Sequence, residues 1–257
     1  MNTRKMKPAL ISTALLGMII CLAGMFVLSS CSTSNRSAQT NDLNTTAPVN
    51  SAQQKKQRFF AFLKPVIESE NARILQQREK LLRLKSESRL SGRQLAWLTQ
   101  LAAEYDLAIT GQPSPSDWQT LQARVDMIPV EMALVQAANE SAWGTSRFAQ
   151  QGNNYFGQWC YQKGCGMVPK HRTAGATHEV QRFENVKHSV RTYMNNINTT
   201  RAYAEFRNIR QNLRIHKRPL DAEVLVAGLK SYSERGMAYV RIIQSMIRSN
   251  HNLIRQS

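Results

Sequence analysis

The segment richest in possible chemistry is Ala133-Leu-Val-Gln-Ala-Ala-Asn-Glu140-Ser-Ala-Trp143-Gly144-Thr-Ser146. On a helix, Ala133, Ala137 and Glu140 fall at i, i+4 and i+7 and share one face. That face is small and apolar, so it should turn inward. A carboxylate at its end, three residues before a tryptophan, is then partly withdrawn from water. Desolvation disfavours the charged form and raises the pKa. A glutamic acid that keeps its proton near neutral pH is what the general acid of glycosidic cleavage requires. The competing reading is a helix-end glutamate paired with one of the chain's many arginines or lysines.

Ten residues on comes Gln151-Gly152-Asn153-Asn154-Tyr155-Phe156-Gly157-Gln158-Trp159. Sugars are held by amide hydrogen bonds to hydroxyl and acetamido groups and by aromatic faces against their C–H surfaces. Asn153, Asn154, Tyr155, Phe156 and Trp159, with Trp143, are therefore candidate substrate-binding residues, the glycines allowing close backbone approach. A turn with buried aromatics, in which Asn153 and Phe156 hold the loop to the helix, is the alternative.

The elements that must position these residues are mostly helical. Phe59, Phe60, Leu63, Ile67, Ile74, Leu75, Leu81 and Leu82 recur at near-helical spacing over 55–105. Pro65 should end or kink the first turns, and Ser91-Gly92 should break the run. Residues 111–117 read as a loop from which Ser116 or Asp117 caps the next helix. Pro129 suits a first helical position, and Trp143-Gly144 ends the helix that carries Glu140. Residues 150–186 lose the helical period, with a strand expected over His178–Phe183. Helix returns over 187–250, broken at Gly236. The predicted organisation is an export signal at 1–30, a polar tether at 31–54, a helical region at 55–110 and a catalytic domain at 115–255.

The N-terminus sets the compartment. Arg4, Lys5 and Lys7 precede an uncharged apolar run from Ala9 to Leu28, a secretory pattern. Leu28-Ser-Ser-Cys31 resembles a lipobox, making Cys31 a candidate lipidation site; an uncleaved anchor is the alternative. Cys160 and Cys165 remain, and outside the cytoplasm a short disulfide loop is the default. A zinc pair is disfavoured because the five histidines form no cluster with them, and no cofactor is expected. The 257 residues carry 34 Lys+Arg against 17 Asp+Glu, a formal charge of +17. Removal of residues 1–30 takes away three bases and no acid, so +17 becomes +14. So basic a chain seeks polyanions, and export excludes nucleic acid while leaving cell wall and lipid. Nothing in the sequence sets an oligomeric state.

Asn139-Glu140-Ser-Ala-Trp143-Gly144-Thr-Ser146 followed by Asn153-Asn154-Tyr155-Phe156-Gly157 resembles the signature of the bacterial glucosaminidase-domain family of peptidoglycan hydrolases. Trp159-Cys160, Gly164-Cys165-Gly166 and His178-Glu179-Val180 resemble its Bax-type branch. The likeness covers residues 120–210. It implies a lysozyme-like, mostly helical α+β fold with a small β lobe. It implies cleavage of the β-1,4 bond after N-acetylglucosamine in peptidoglycan glycan strands. Glu140 matches the catalytic acid. Glu179 is the candidate for a second carboxylate in the β lobe, with Glu184 behind it, and Tyr203 matches a tyrosine near the groove. The runner-up reading is a non-catalytic wall-binding lipoprotein; an amidase ranks below it for want of a zinc cluster or a Cys/His dyad.

Overall fold

The computed structural model describes residues 51–170, 172 and 175–257; the expected signal segment, Cys31 and most of the tether fall outside them. Among the described residues the fold is a mostly helical α+β arrangement with one three-stranded antiparallel sheet. None of these helices is long and apolar enough to cross a membrane.

Helix α1 (Ser51–Lys85) begins inside the stretch expected to be tether and passes straight through Pro65. Its buried residues explain why. Phe59, Phe60, Leu63, Ile67, Ile74, Leu81 and Leu84 form one continuous apolar stripe. Burying large side chains on both sides of Pro65, at ~1.5–3 kcal/mol each, outweighs the ~3 kcal/mol that an interior proline costs. Pro65 itself stands on the exposed side. α2 (Gly92–Glu104) starts at a capping box between Ser91 and Gln94. α3 (Pro115–Arg124) is capped by Ser114, not by Ser116 or Asp117. Pro115 takes the first helical position and Asp117 becomes the third-position partner that bonds back to Ser114.

Then follow α4 (Val130–Ser141), α5 (Arg147–Gly152), α6 (Val186–Thr199), α7 (Ala204–Ile215), α8 (Ala222–Leu225) and α9 (Met237–Gln256). Between α5 and α6 lie β1 (Trp159–Cys160), β2 (Gly166–Met167) and β3 (Glu179–Gln181), in the order β1-β3-β2. The strand expected over 178–183 is realised in its middle three residues. Trp159 opposes Val180, and Met167 opposes Val180 from the other side. A Cβ on Gly166 would stand 2.0 Å from the Val180 carbonyl oxygen, so only glycine lets the two strands close.

Two apolar cores result. The larger joins the first half of α1 to α4, α6, α7 and α9. The smaller joins the second half of α1 to α2 and α3 through Leu81, Leu98, Leu101, Tyr105 and Leu121. α1 therefore belongs to both. Polar clamps fasten the junction: Asn71 exchanges two hydrogen bonds with the Ile128 backbone, and Asp126 accepts a bidentate pair from Arg214.

Candidate active site

α4 carries Glu140 on its last turn, with Ala133, Ala137 and Ala138 fully buried below it. Glu140 as a whole residue is half-buried. Burial raises its pKa, opposed in part by hydrogen bonds from Asn139 and Tyr239 and by the charge of Arg235. The Asn139 amide donates to Glu140 Oε1 at 3.1 Å. No Lys or Arg lies within ion-pair distance of Glu140 among the described residues. The ion-paired helix-end alternative is thereby removed.

Tyrosines take the place of a counterion. Tyr193 Oη donates to Gln136 Oε1 at 2.6 Å. Gln136 Nε2 donates to Tyr239 Oη at 3.0 Å, and the Tyr239 hydroxyl donates to Glu140. Gln136 is fully buried one helical turn below Glu140. By occupying the oxygen of Tyr239, it aims that hydroxyl's proton at the carboxylate. Tyr232 stacks on Tyr239 with centroids 5.4 Å apart and contacts Tyr203 at 5.9 Å. All four tyrosines are buried, and each has its pKa raised, by burial first and partly by the charge of Glu140. Tyr203, the tyrosine expected from sequence, belongs to this cluster, with its hydroxyl bonded to Asn196. Gln136, Tyr193, Tyr232 and Tyr239 were not singled out by the sequence. The available signal was Tyr232-Ser-Glu-Arg235-Gly236-Met-Ala-Tyr239, two tyrosines about a helix start that reads only as a break at Gly236.

Past Glu140 the backbone turns left-handed for three residues, with φ of 51° at Ala142, 62° at Trp143 and 76° at Gly144. For Ala and Trp this region costs about 1–3 kcal/mol each, and such strain gathers at functional sites. The turn is held by Ser141, whose hydroxyl donates to the Ala137 carbonyl at 2.6 Å and accepts from the Gly144 amide at 2.8 Å. It throws Trp143 against α1. There the indole meets Phe59 and Phe60 edge-on at 5.7 and 5.4 Å, with Lys56 Nζ 5.1 Å from its centroid. Tyr155 joins the same wall beside Phe59 and Phe62. Phe156 is buried and stacks on Tyr193 at 3.9 Å.

Both loop asparagines bond to backbone. Asn154 is buried, donates to the carbonyls of Gln158 and Gln181, and accepts from the amides of Phe156 and Gln158. Asn153 takes the left-handed position ending α5 and donates to the carbonyls of Phe183 and Glu184. These amides fasten the loop to the segment after β3; the Asn154 amide has both N–H groups engaged.

Glu179 stands on β3 opposite Cys160. Its two oxygens accept the amides of Gly164 and Gly166 at 3.0 and 2.8 Å, and these bonds lower its pKa. Cys160 and Cys165 form a disulfide, with Cα atoms 6.2 Å apart. The two sulfurs and a Glu179 oxygen lie within 4.8 Å of one another, but sulfurs joined as a disulfide offer no thiolate ligand. Trp159 is half-buried and stacks on His178 at 4.1 Å. Glu184 is exposed at the entry to α6. The structure thus gathers Glu140, Tyr203 and Phe156 around one cluster, sets Trp143 and Tyr155 on the α1 wall, and leaves Glu179 in the disulfide loop.

Comparison with known families matches residues 116–252 to the glucosaminidase family model, described as mannosyl-glycoprotein endo-beta-N-acetylglucosaminidase. Protein bax of Escherichia coli (strain K12) is 34% identical over 221 residues, which is 86% of this chain and 79% of that protein. No solved structure matches.

Proposed function

The chain belongs to the glucosaminidase family and is by kind a peptidoglycan-related glycosidase, and from that premise we propose that it cuts the β-1,4 bond after N-acetylglucosamine in the glycan strands, with Glu140 as general acid. The observation that carries the proposal is the setting of Glu140: a carboxyl with no ion-pair partner among the described residues, its pKa raised by burial, on a residue only half-buried. The protonated carboxyl gives its proton to the glycosidic oxygen as the C–O bond breaks. The Tyr239 hydroxyl then stabilises the carboxylate that remains. The sugar's own acetamido oxygen meets the anomeric carbon, and water opens that adduct after losing a proton to the Glu140 carboxylate. This route is favoured over water activation by Glu179 because both Glu179 oxygens already accept backbone amides. Tyr203 and Tyr232 form the buried wall behind the acid, and Trp143, Tyr155 and Trp159 are the aromatic surfaces offered to sugar rings. Asn153, Asn154 and Phe156 shape the loop.

The basic-apolar start and the Leu28-Ser-Ser-Cys31 sequence support export and anchoring through a lipid on Cys31. A fatty-acid label that fails to enter the protein would refute the lipid. The strongly basic mature chain fits an anionic wall polymer.

The test is digestion of purified sacculi followed by mass spectrometry. The expected products carry N-acetylglucosamine at the reducing end, and Glu140→Gln releases none. N-acetylmuramic acid ends, or undiminished release by Glu140→Gln, would overturn the reading. Sacculus binding without soluble product would favour the non-catalytic alternative.

A further inference from the structure

α1 lies outside the residues matched to the glucosaminidase family, yet it builds one wall of a cleft of about 430 Å³. The other wall is the left-handed turn after Glu140 together with Tyr155. The volume is in the range usual for small-ligand sites, roughly 300–1,000 Å³. Lys55, Arg58, Phe59, Phe62, Trp143 and Tyr155 line it, and no acidic residue does.

The α1 face turned to this cleft is not a core face. Ser51, Lys55, Arg58 and Phe62 recur at helical spacing and are all exposed, whereas the buried stripe runs through Phe59, Phe60 and Leu63. Phe62 is 49% exposed, a large aromatic left in water 5.9 Å from the ring of Tyr155. The charges break a local rule. The first turns of a helix favour acids, because the unpaired amides there make that end positive. α1 has no acid in its first turn and places Lys55, Lys56 and Arg58 close behind it. Lys55 and Arg58, at i and i+3, repel each other and form no ion pair with any described residue. Local conflicts of this kind concentrate at functional sites. Aromatic faces beside unpaired cations suit a sugar ring that carries a carboxylate.

We infer that this cleft, walled by α1 and by the turn that follows Glu140, is a glycan subsite, in which Lys55 and Arg58 bind a carboxylate on the polymer while Phe62, Trp143 and Tyr155 contact its rings. The inference rests on the proposed function for the identity of the polymer. The carboxylate has two sources: the lactyl group of a stem-free muramyl residue, or the peptide stem.

The test is equilibrium binding to the full-length Glu140→Gln protein, which separates binding from turnover. The probes are chitotetraose, which is neutral, a stem-free N-acetylglucosaminyl–muramyl tetrasaccharide, and the same tetrasaccharide bearing tripeptide stems. At least one acidic probe should bind about five- to tenfold more tightly than chitotetraose, as expected for two exposed ion pairs. Tighter binding of the stem-free probe identifies the lactyl carboxylate; a preference confined to the stem-bearing probe identifies the peptide. Lys55→Gln/Arg58→Gln should abolish the preference. Lys217→Gln/Arg218→Gln, which removes two exposed charges from the loop between α7 and α8, should keep it. Equal binding of neutral and acidic probes, or a preference that survives Lys55→Gln/Arg58→Gln, would overturn the inference, and so would equal loss in the α7–α8 variant. Sacculi left intact by the wild-type protein while the preference persists would refute the hydrolase reading alone.

Discussion

Replacing Tyr239 with Phe removes one oxygen from the relay that runs from Tyr193 through Gln136 to Glu140, and its effects divide in two. The Gln136 amide, fully buried, loses the acceptor it had at 3.0 Å. An orphaned buried donor costs about 1–3 kcal/mol, a fall of roughly 2–4 °C in Tm for each kcal/mol in a chain of this size. The second effect falls on Glu140. The Tyr239 hydroxyl bonds to the ionised carboxylate and holds its pKa below the level burial alone would set. Without it the proton is held more tightly. In the proposed mechanism the protonated acid is the active form, so the alkaline limb of the rate profile should move to higher pH. The assay is the rate of muropeptide release from sacculi across pH, beside a thermal melt. A double variant, Tyr239→Phe/Gln136→Met, removes the stranded amide together with its acceptor and should cost less than the sum of the single changes. An alkaline limb that stays in place or moves to lower pH would show that Tyr239 does not donate to the catalytic carboxylate, and strict additivity would show that the relay does not act as a unit.

Asp126, 2% exposed and facing Arg78, Arg210 and Arg214, should cost about 3–5 kcal/mol in urea unfolding when changed to Ala, since buried arginines lose their counter-charge. Burial alone would raise its pKa, but the Arg214 bonds and the Arg210 and Arg78 charges outweigh it and lower the value. The contribution of Asp126 is therefore complete above the ordinary carboxylate pKa and fades as pH falls through the depressed one, so Asp126→Ala should flatten the acid side of the stability curve; an unchanged curve would refute this. Cys160→Ala/Cys165→Ala should cost on the order of 2 kcal/mol. Combined with Glu179→Ala it should cost less than the sum of the separate changes, because disulfide and carboxylate fix the same loop; full additivity would count against that coupling.

The sequence exposes what depends on period and leaves hidden what depends on long-range packing. The inward face of α4 is legible in the alanine spacing, and the disulfide in the expected compartment and the cysteine count. Pro65 misled because a local penalty was read without the apolar stripe on either side of it. The α3 cap expected at Ser116 or Asp117 lies two or three residues earlier because Ser114 and Asp117 act as a pair about Pro115. Asn153 and Asn154 have a composition suited to sugar, but their partners are carbonyls about thirty residues away, across the β lobe. The tyrosines around Glu140 come from α6, α9 and the segments before α7 and α9. No window of sequence contains them together, so only the fold could assemble them.

That assembly bears on how a strongly basic protein raises the pKa of one acid. Thirty-four Lys and Arg side chains surround seventeen acids, and the default outcome is ion pairing, which lowers carboxyl pKa values. Glu70 follows it. Burial opposes its charge, yet Arg73 and Arg191 overcome that opposition and lower its pKa. Asp126 does the same with Arg214. Glu140 departs because its polar partners are the Asn139 amide and the Tyr239 hydroxyl, donors that satisfy a carboxylate without neutralising it, and the charge of Arg235 does not outweigh burial. Tyr232 and Tyr239 are themselves buried too deeply to ionise readily. Carboxyls of like chemistry are thus divided by surroundings into two with lowered pKa values, Glu70 and Asp126, and one with a raised pKa, Glu140. The division is made by which elements meet at the end of α4, and the left-handed turn after it sends Trp143 to α1 instead of onward along the helix.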